Sequence, residues 1–269
     1  MEKLPLSYEL ERMAKQLGAD LFGAADLTPA RSFICSQGGE YLGQFPRAIS
    51  VGIRLLDAVV DELSRHEERS PIFSYRGLFT SVNSHLDHIA LLLAKEIERN
   101  GYRAYPIPAS QFVDRTTLTG AFSHKLAAHL AGLGWIGKSA LLVTPVHGPR
   151  VRFATVLTDM PLGTGSQLNE KCGDCKACVE ICPVKAFTGA PFDPSEPREA
   201  RFNAHSCDDY SKKRQERLGE SLCGLCVYVC PYGRSQEHHV QKPVEGRPAG
   251  NNLNKTEIPS TSLEAGAKP

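Results

Sequence analysis

Residues 172–187 read CGDCKACVEICPVKAF, and residues 223–231 read CGLCVYVCP. With Cys207, these stretches hold eight of the nine cysteines in a chain of 269 residues. The first has the spacing C-x2-C-x2-C-x3-C and is followed by Pro183. The second has C-x2-C-x3-C followed by Pro231, and Glu220 stands where a further cysteine would complete the repeat. Cys207, upstream of Glu220, supplies the eighth thiol. Nine cysteines are far too few for a disulfide scaffold, and the number is odd. The polar start MEKLPLSYELER lacks the basic beginning and apolar core of a signal peptide, so a cytoplasmic chain with reduced thiols is expected. Reduced, clustered thiols bind metal.

The spacing selects the metal. Three thiolates two residues apart wrap one iron–sulfur cube from a tight loop, while the fourth leaves on a short helix toward a neighbouring cube. Zinc takes two C-x-x-C pairs or Cys2His2 instead. The crossover rule assigns Cys172, Cys175, Cys178 and Cys230 to one [4Fe-4S] cluster. It assigns Cys182, Cys207, Cys223 and Cys226 to a second. Cys35 is left over and reads as an inert thiol.

Outward from the cysteines, composition is that of a globular protein, with 23% charged and 41% apolar residues. A net charge of +1 gives no global field for nucleic acid or an anionic membrane. No apolar run reaches membrane-spanning length. The length allows one large or two modest domains. Apolar periodicity predicts helices over 6–18, 82–99 and 121–131. Short apolar runs predict strands over 21–25, 48–53, 140–144 and 151–158. Pro106 and Pro108 make 102–113 extended or looped. The expected class is α/β (α+β), with an α/β domain over 1–162, a two-cluster ferredoxin-like domain over 163–232 and a polar, disordered tail over 233–269.

Gly132-Leu-Gly134-Trp135-Ile136-Gly137-Lys138-Ser139 fits both G-x-x-x-x-G-K-[ST] and G-x-G-x-x-G. Both motifs need strand, loop, then helix, so that helix N-terminal amides meet phosphate. Here a helix precedes and a strand follows, so nucleotide binding is rejected. A close backbone turn is expected instead. Gly132, Gly134 and Gly137 would approach a flat ligand or cluster, Trp135 would pack over it, and Lys138 would meet an anionic group.

AGLGWIGKSALLV (131–143), GPRVRFATVLTDMPL (148–162) and the first cysteine run closely resemble the epoxyqueuosine reductase family, which is similar in turn to corrinoid reductive dehalogenases. The resemblance is strong over about 114–232 and faint over 15–60. It implies a nitroreductase-like α/β domain that binds a corrinoid, cobalamin, next to the two-cluster domain. Electrons would pass from a ferredoxin- or flavodoxin-type donor through the clusters to cobalt. Arg150 and Arg152 would neutralise polar groups of the corrinoid. The family's longer members carry a helical-repeat domain that helps hold transfer RNA; here a polar stretch follows the cysteines.

The family also carries D-[TS]-[GA]-P-x-x-E-[KR] before AGLGW, and its Asp is the proposed proton donor. Without gaps, Thr119-Gly120 match, but Leu118 takes the Asp position and His124 the Glu. With four residues inserted, Phe112-Val113-Asp114 match and Asp114 becomes the acid. Tyr75, Arg76, His85, His88 and Arg115 fall in segments that could line a central pocket, and His129 and His147 flank the Gly-rich turn. Two function classes follow. One is an oxidoreductase acting on a small-molecule or RNA-borne substrate. The other is a non-catalytic electron-transfer protein serving a partner enzyme or corrinoid protein. A bare ferredoxin would not need the first 160 or so residues.

Overall fold

The computed structural model describes residues 5–234. In chain order it runs α1 (Leu6–Gln16), β1 (Leu21–Asp26), α2 (Arg31–Gly38), β2 (Arg47–Arg54), α3 (Asp57–Asp61), α4 (Arg69–Arg99) and β3 (Ala104–Ile107). It continues through α5 (His124–Leu130), β4 (Trp135–Ile136), β5 (Leu142–Val143) and β6 (Val151–Thr158). The cysteine region adds α6 (Ala177–Ile181), α7 (Ala204–Leu218) and α8 (Leu225–Tyr228). The stretch expected to be disordered lies outside the described residues from Ser235 onward. No helix among the described residues is long and apolar enough to cross a membrane.

Four strands form an antiparallel sheet in the order β1-β2-β6-β3. Strand alternation sends Ala154 and Val156 to one face, where Leu10 and Ala14 of α1 and the buried stripe of α4 cover them. Leu157 and Ala48 point the other way, onto Ile34 of α2 and Ala127 and Leu130 of α5. The result is an α/β/α sandwich. Pro106 fits in β3 because that strand is at the edge, where a missing N–H costs no ladder bond. β3 pairs only with Thr155–Thr158, so Val151–Ala154 of β6 keeps one edge without a strand partner.

α4 begins thirteen residues before the helix predicted at 82, with Pro71 in its first turn, where a missing N–H is tolerated. Gly77 and the exposed Phe73 hid this half from periodicity. Its buried side, Ile72 and Tyr75, packs against the cysteine region: Val227, Leu222, Cys226 and Tyr228 join the same core. α7, between the two cysteine groups, has few buried residues. Asn203 caps its start by accepting from the Ser206 amide, and Gly219 ends it in the left-handed region at φ 82°. Its anchor is Arg214, 1% exposed, which donates to Glu67 Oε1 at 3.0 Å and to the carbonyls of His66 and Leu222.

Candidate metal centre

The first cysteine loop is held from outside its own sequence. Gly173 adopts φ 48°, and the Cys175 amide closes a turn onto the Cys172 carbonyl at 2.9 Å. Lys138 donates to the carbonyls of Gly173 and Cys175. Lys138 is therefore a clamp on this loop, not a free cation for an anionic ligand. α6 then carries Cys178 and leads to Cys182. Cys182 is 8% exposed and lies among Phe187, Val179, Phe202, Cys207 and Cys226. The Ala186 amide points at its sulfur at 3.3 Å.

The second loop is anchored by the residue that replaces a cysteine. Glu220 accepts from Arg76 Nε at 2.7 Å and from the amides of Ser221 and Leu222 at 2.7 and 3.1 Å. Burial pushes this carboxyl up, but Arg76 and the amides outweigh it and hold it below the ordinary value. Gly224 takes φ 75°, and a side chain there would run into Leu63 and Tyr75.

The sulfurs group across the two motifs. Burial pushes the Cys230 thiol up to about 11, and the sulfurs that add to the shift are those of Cys172, Cys178 and Cys175. Burial likewise raises Cys207 to about 11, and there Cys223 and Cys182 contribute. Cys226 is raised by burial and then by Cys223, Cys207, Cys178 and Cys182. Enclosed thiols shifted upward in this way resist ionisation together unless a metal supplies positive charge. None of the nine cysteines is in a disulfide.

An iron–sulfur group fits a further feature. The Trp135 indole N–H is buried without a hydrogen-bond partner. It faces Cys172, whose thiol burial raises and Trp135 in part lowers. A Cβ at Gly137 would come within 3.3 Å of the same sulfur. Trp135 packs edge-on against Tyr232 at 4.9 Å, just beyond Cys230.

The remaining expected site residues do not assemble around a flat ligand. A helix does precede the Gly-rich turn and β4 follows it. The glycines, however, face their own chain. A Cβ at Gly132 would strike the Ser166 carbonyl at 2.4 Å, and one at Gly134 the Val143 carbonyl at 2.3 Å. Arg150 precedes β6, so strand alternation does not place it with Arg152. It is 1% exposed and pairs with Asp57 at 2.9 Å and Asp61 at 2.6 Å. Asp114 accepts from the Thr116 amide and the Thr117 hydroxyl, both at 2.7 Å. The Thr117 hydroxyl and the Thr116 amide hold its carboxyl below the ordinary range, the reverse of what a proton donor needs. Arg76 belongs to the Glu220 anchor, His85 meets the Leu17 carbonyl, and His129 braces the Gly134 carbonyl at 3.1 Å.

A different set gathers near the unpaired edge of β6. Tyr75 is 3% exposed, and its phenol is raised by burial and then by Cys226. Arg152 donates to Asn83 Oδ1 at 3.1 Å and lies over the Phe79 ring at 4.2 Å. His124 reaches Thr155 Oγ1 at 2.9 Å, and burial pushes it down to about 4, so it is neutral. Lys125 donates to the Ala140 carbonyl at 2.6 Å. His124, Lys125 and Arg152 keep part of their surface accessible. Sequence reading weighed Tyr75, Arg152 and His124 but missed Lys125; its one signal is that it occupies the [KR] position of the ungapped family motif.

A family profile described as a 4Fe-4S double cluster binding domain matches residues 171–233. An epoxyqueuosine reductase of Listeria monocytogenes is 27% identical over 183 residues, covering 64% of this chain and 46% of that protein. The chain thus spans about half the length of such curated relatives. Among solved structures, a catabolic reductive dehalogenase in complex with 3-bromo-4-hydroxybenzoic acid aligns with TM-score 0.63 at 19% identity, over 84% of this chain and 31% of that one. An epoxyqueuosine reductase with a modified tRNA-Tyr stem loop aligns with TM-score 0.54 at 17% identity, over 85% and 65%. The sequence resemblance to epoxyqueuosine reductases therefore holds against individual relatives, and the mixed α/β fold is shared with both groups.

Proposed function

We propose that this relative of the epoxyqueuosine reductases is an iron–sulfur oxidoreductase that passes electrons through two [4Fe-4S] clusters to an acceptor held near Tyr75 and Arg152. The observation that carries the reading is the mixed grouping of the sulfurs: Cys230 with Cys172, Cys175 and Cys178, and Cys182 with Cys207 and Cys223. Cys226 completes the second set. When bound, each cluster supplies one-electron transfer at low potential. Lys138 fixes the first loop and the Arg76–Glu220 pair the second. Cys175 is exposed, so a ferredoxin- or flavodoxin-type donor would reach the first set there. Cys226 of the second set lies on the core side, next to Tyr75.

In this reading the proton-donor part falls to Tyr75, not to Asp114. A phenol is protonated at neutral pH, and Tyr75 stands between the second cysteine loop and Arg152. Asp114 is tied into its turn as an ionised acceptor. The acceptor is a corrinoid or the substrate itself, small or RNA-borne. Anaerobically reconstituted protein should contain about eight irons and eight sulfides per chain. Iron for a single cluster, or stoichiometric zinc, would sink the reading. Titration with cobalamin then separates the acceptors: a changed spectrum and cobalt retained after desalting mean a corrinoid, and neither means direct reduction of substrate or of a partner.

A further inference from the structure

We infer that the Gly-rich turn over 134–138 cradles the Cys172 thiolate and makes the first cluster the more easily reduced of the two, an inference that rests on the two-cluster reading above. The turn satisfies a phosphate-loop pattern yet lacks the helix such a loop needs. Its anion is a sulfur instead. The Gly137 backbone lies against Cys172, since a Cβ there would come within 3.3 Å of Sγ. The Lys138 amide has no oxygen acceptor among the described residues, and neither has the buried Trp135 indole N–H. Both act on the same thiol. Burial and Glu170 raise Cys172, and the Lys138 amide and the Trp135 indole pull it down. N–H groups gathered on one point form the kind of anion-binding concavity found at many iron–sulfur sites. The Lys138 ammonium adds a full positive charge, fastened to the Gly173 and Cys175 carbonyls of the same loop.

The two sets differ in what surrounds their sulfurs. In the first, burial raises Cys178 and Cys230, and the amides of Val179 and Tyr232 act against it. In the second, burial raises Cys207 and Cys226; neighbouring thiols add to it at both, and Asp208 at Cys207. The donors there are the Ala186 amide, 3.3 Å from the Cys182 sulfur, and the Leu225 amide, which opposes the burial that raises Cys223. A reduced cluster carries one more negative charge, so N–H donors and a nearby cation favour reduction and a carboxylate opposes it. Glu170, which accepts from the Cys172 amide, is the opposing group on the first loop, and its exposure leaves it screened by water and salt. The charged anchor of the second loop, Glu220 with Arg76, is a neutral pair. The first electron from a donor therefore rests on the Lys138 side, and the set beside Tyr75 is filled by the second.

Anaerobic redox titration of the reconstituted protein, followed by electron paramagnetic resonance, tests the inference. Two separate midpoint potentials are expected. Lys138→Met should lower the higher one, by on the order of tenfold in the reduction equilibrium or about 59 mV for one electron, and leave the lower one in place. Lys138→Arg, which keeps the charge, should stay near the wild type. Glu170→Gln, which leaves the Lys138 clamp intact, should raise the higher potential. Lys15→Gln, on the exposed face of α1, should move neither. Coincident potentials in the wild type overturn the inference, as does a shift of the lower potential in place of the higher, or no shift in Lys138→Met and Glu170→Gln. If Lys138→Met loses iron, Glu170→Gln decides alone. Iron content of the same samples keeps the failures apart: about eight irons with an unshifted higher potential removes this assignment only, whereas iron for a single cluster removes the two-cluster reading.

Discussion

Arg76 Nε donates to Glu220 Oε1 at 2.7 Å, joining the first half of α4 to the loop that carries Cys223. The pair explains why the second cysteine motif lacks its first member. Where a fourth local thiol would stand, a carboxylate anchors the loop to the α/β core, and under the proposed ligation Cys207 on α7 takes the fourth position. The same exchange accounts for the length of α4, whose early turns have the cysteine region as their packing partner.

Glu220→Ala should therefore loosen the second loop. Glu220 is 6% exposed and the variant strips acceptors from Arg76 and two amides. A loss of about 1–3 kcal/mol is expected from the orphaned donors. Urea unfolding of the loaded protein measures it, and iron release should quicken. The pH dependence has a definite sign. The folded-state value of Glu220 is depressed below 4.5, so its stabilisation is complete above that pH and is lost as pH falls through the folded value. Glu220→Gln should lack this acid-side component.

Trp135→Phe keeps the aromatic contact with Tyr232 and removes the N–H that faces Cys172. Hydrogen bonds to cluster sulfur raise the reduction potential. One of the two clusters should therefore become harder to reduce while the other is unmoved, as read by an anaerobic redox titration followed by electron paramagnetic resonance. Two unchanged potentials would show that the indole N–H serves packing only.

Tyr75→Phe should retain both clusters, since the hydroxyl is not part of either loop. Turnover should drop by about 10²-fold or more if the phenol delivers the proton. Asp114→Asn should leave the rate near that of the wild type. The opposite ranking of the two variants would return the acid role to Asp114.

The double-cluster segment was legible in the sequence because its spacing is local: loop, short helix and proline lie within a dozen residues. The sheet was legible for a similar reason, as the short apolar runs in β1, β2 and β6 report two covered faces. α7 was not, because one buried guanidinium, Arg214, holds it where apolar periodicity normally would. Arg150 lies just before the start of β6 at Val151, and its pairing with Asp57 and Asp61 is a tertiary contact that no local spacing reports.

Crossover ligation separates two outcomes that simple motif counting merges. If each run of cysteines closed on its own cube, Cys182→Ser would damage the cluster held by Cys172, Cys175 and Cys178, and Cys230→Ser the one held by Cys207, Cys223 and Cys226. The sulfurs group the other way: Cys182 lies with Cys207 and Cys226, and Cys230 with the first loop. Trp135 provides the reporter, since it faces Cys172 and not the second set. In Cys182→Ser the cluster whose potential responds to Trp135→Phe should survive, and in Cys230→Ser that cluster should be the one converted or lost. Iron content near half of the wild type, with electron paramagnetic resonance identifying the surviving cluster in each single and double variant, decides the matter. Loss of the Trp135-sensitive cluster in Cys182→Ser would overturn the crossover.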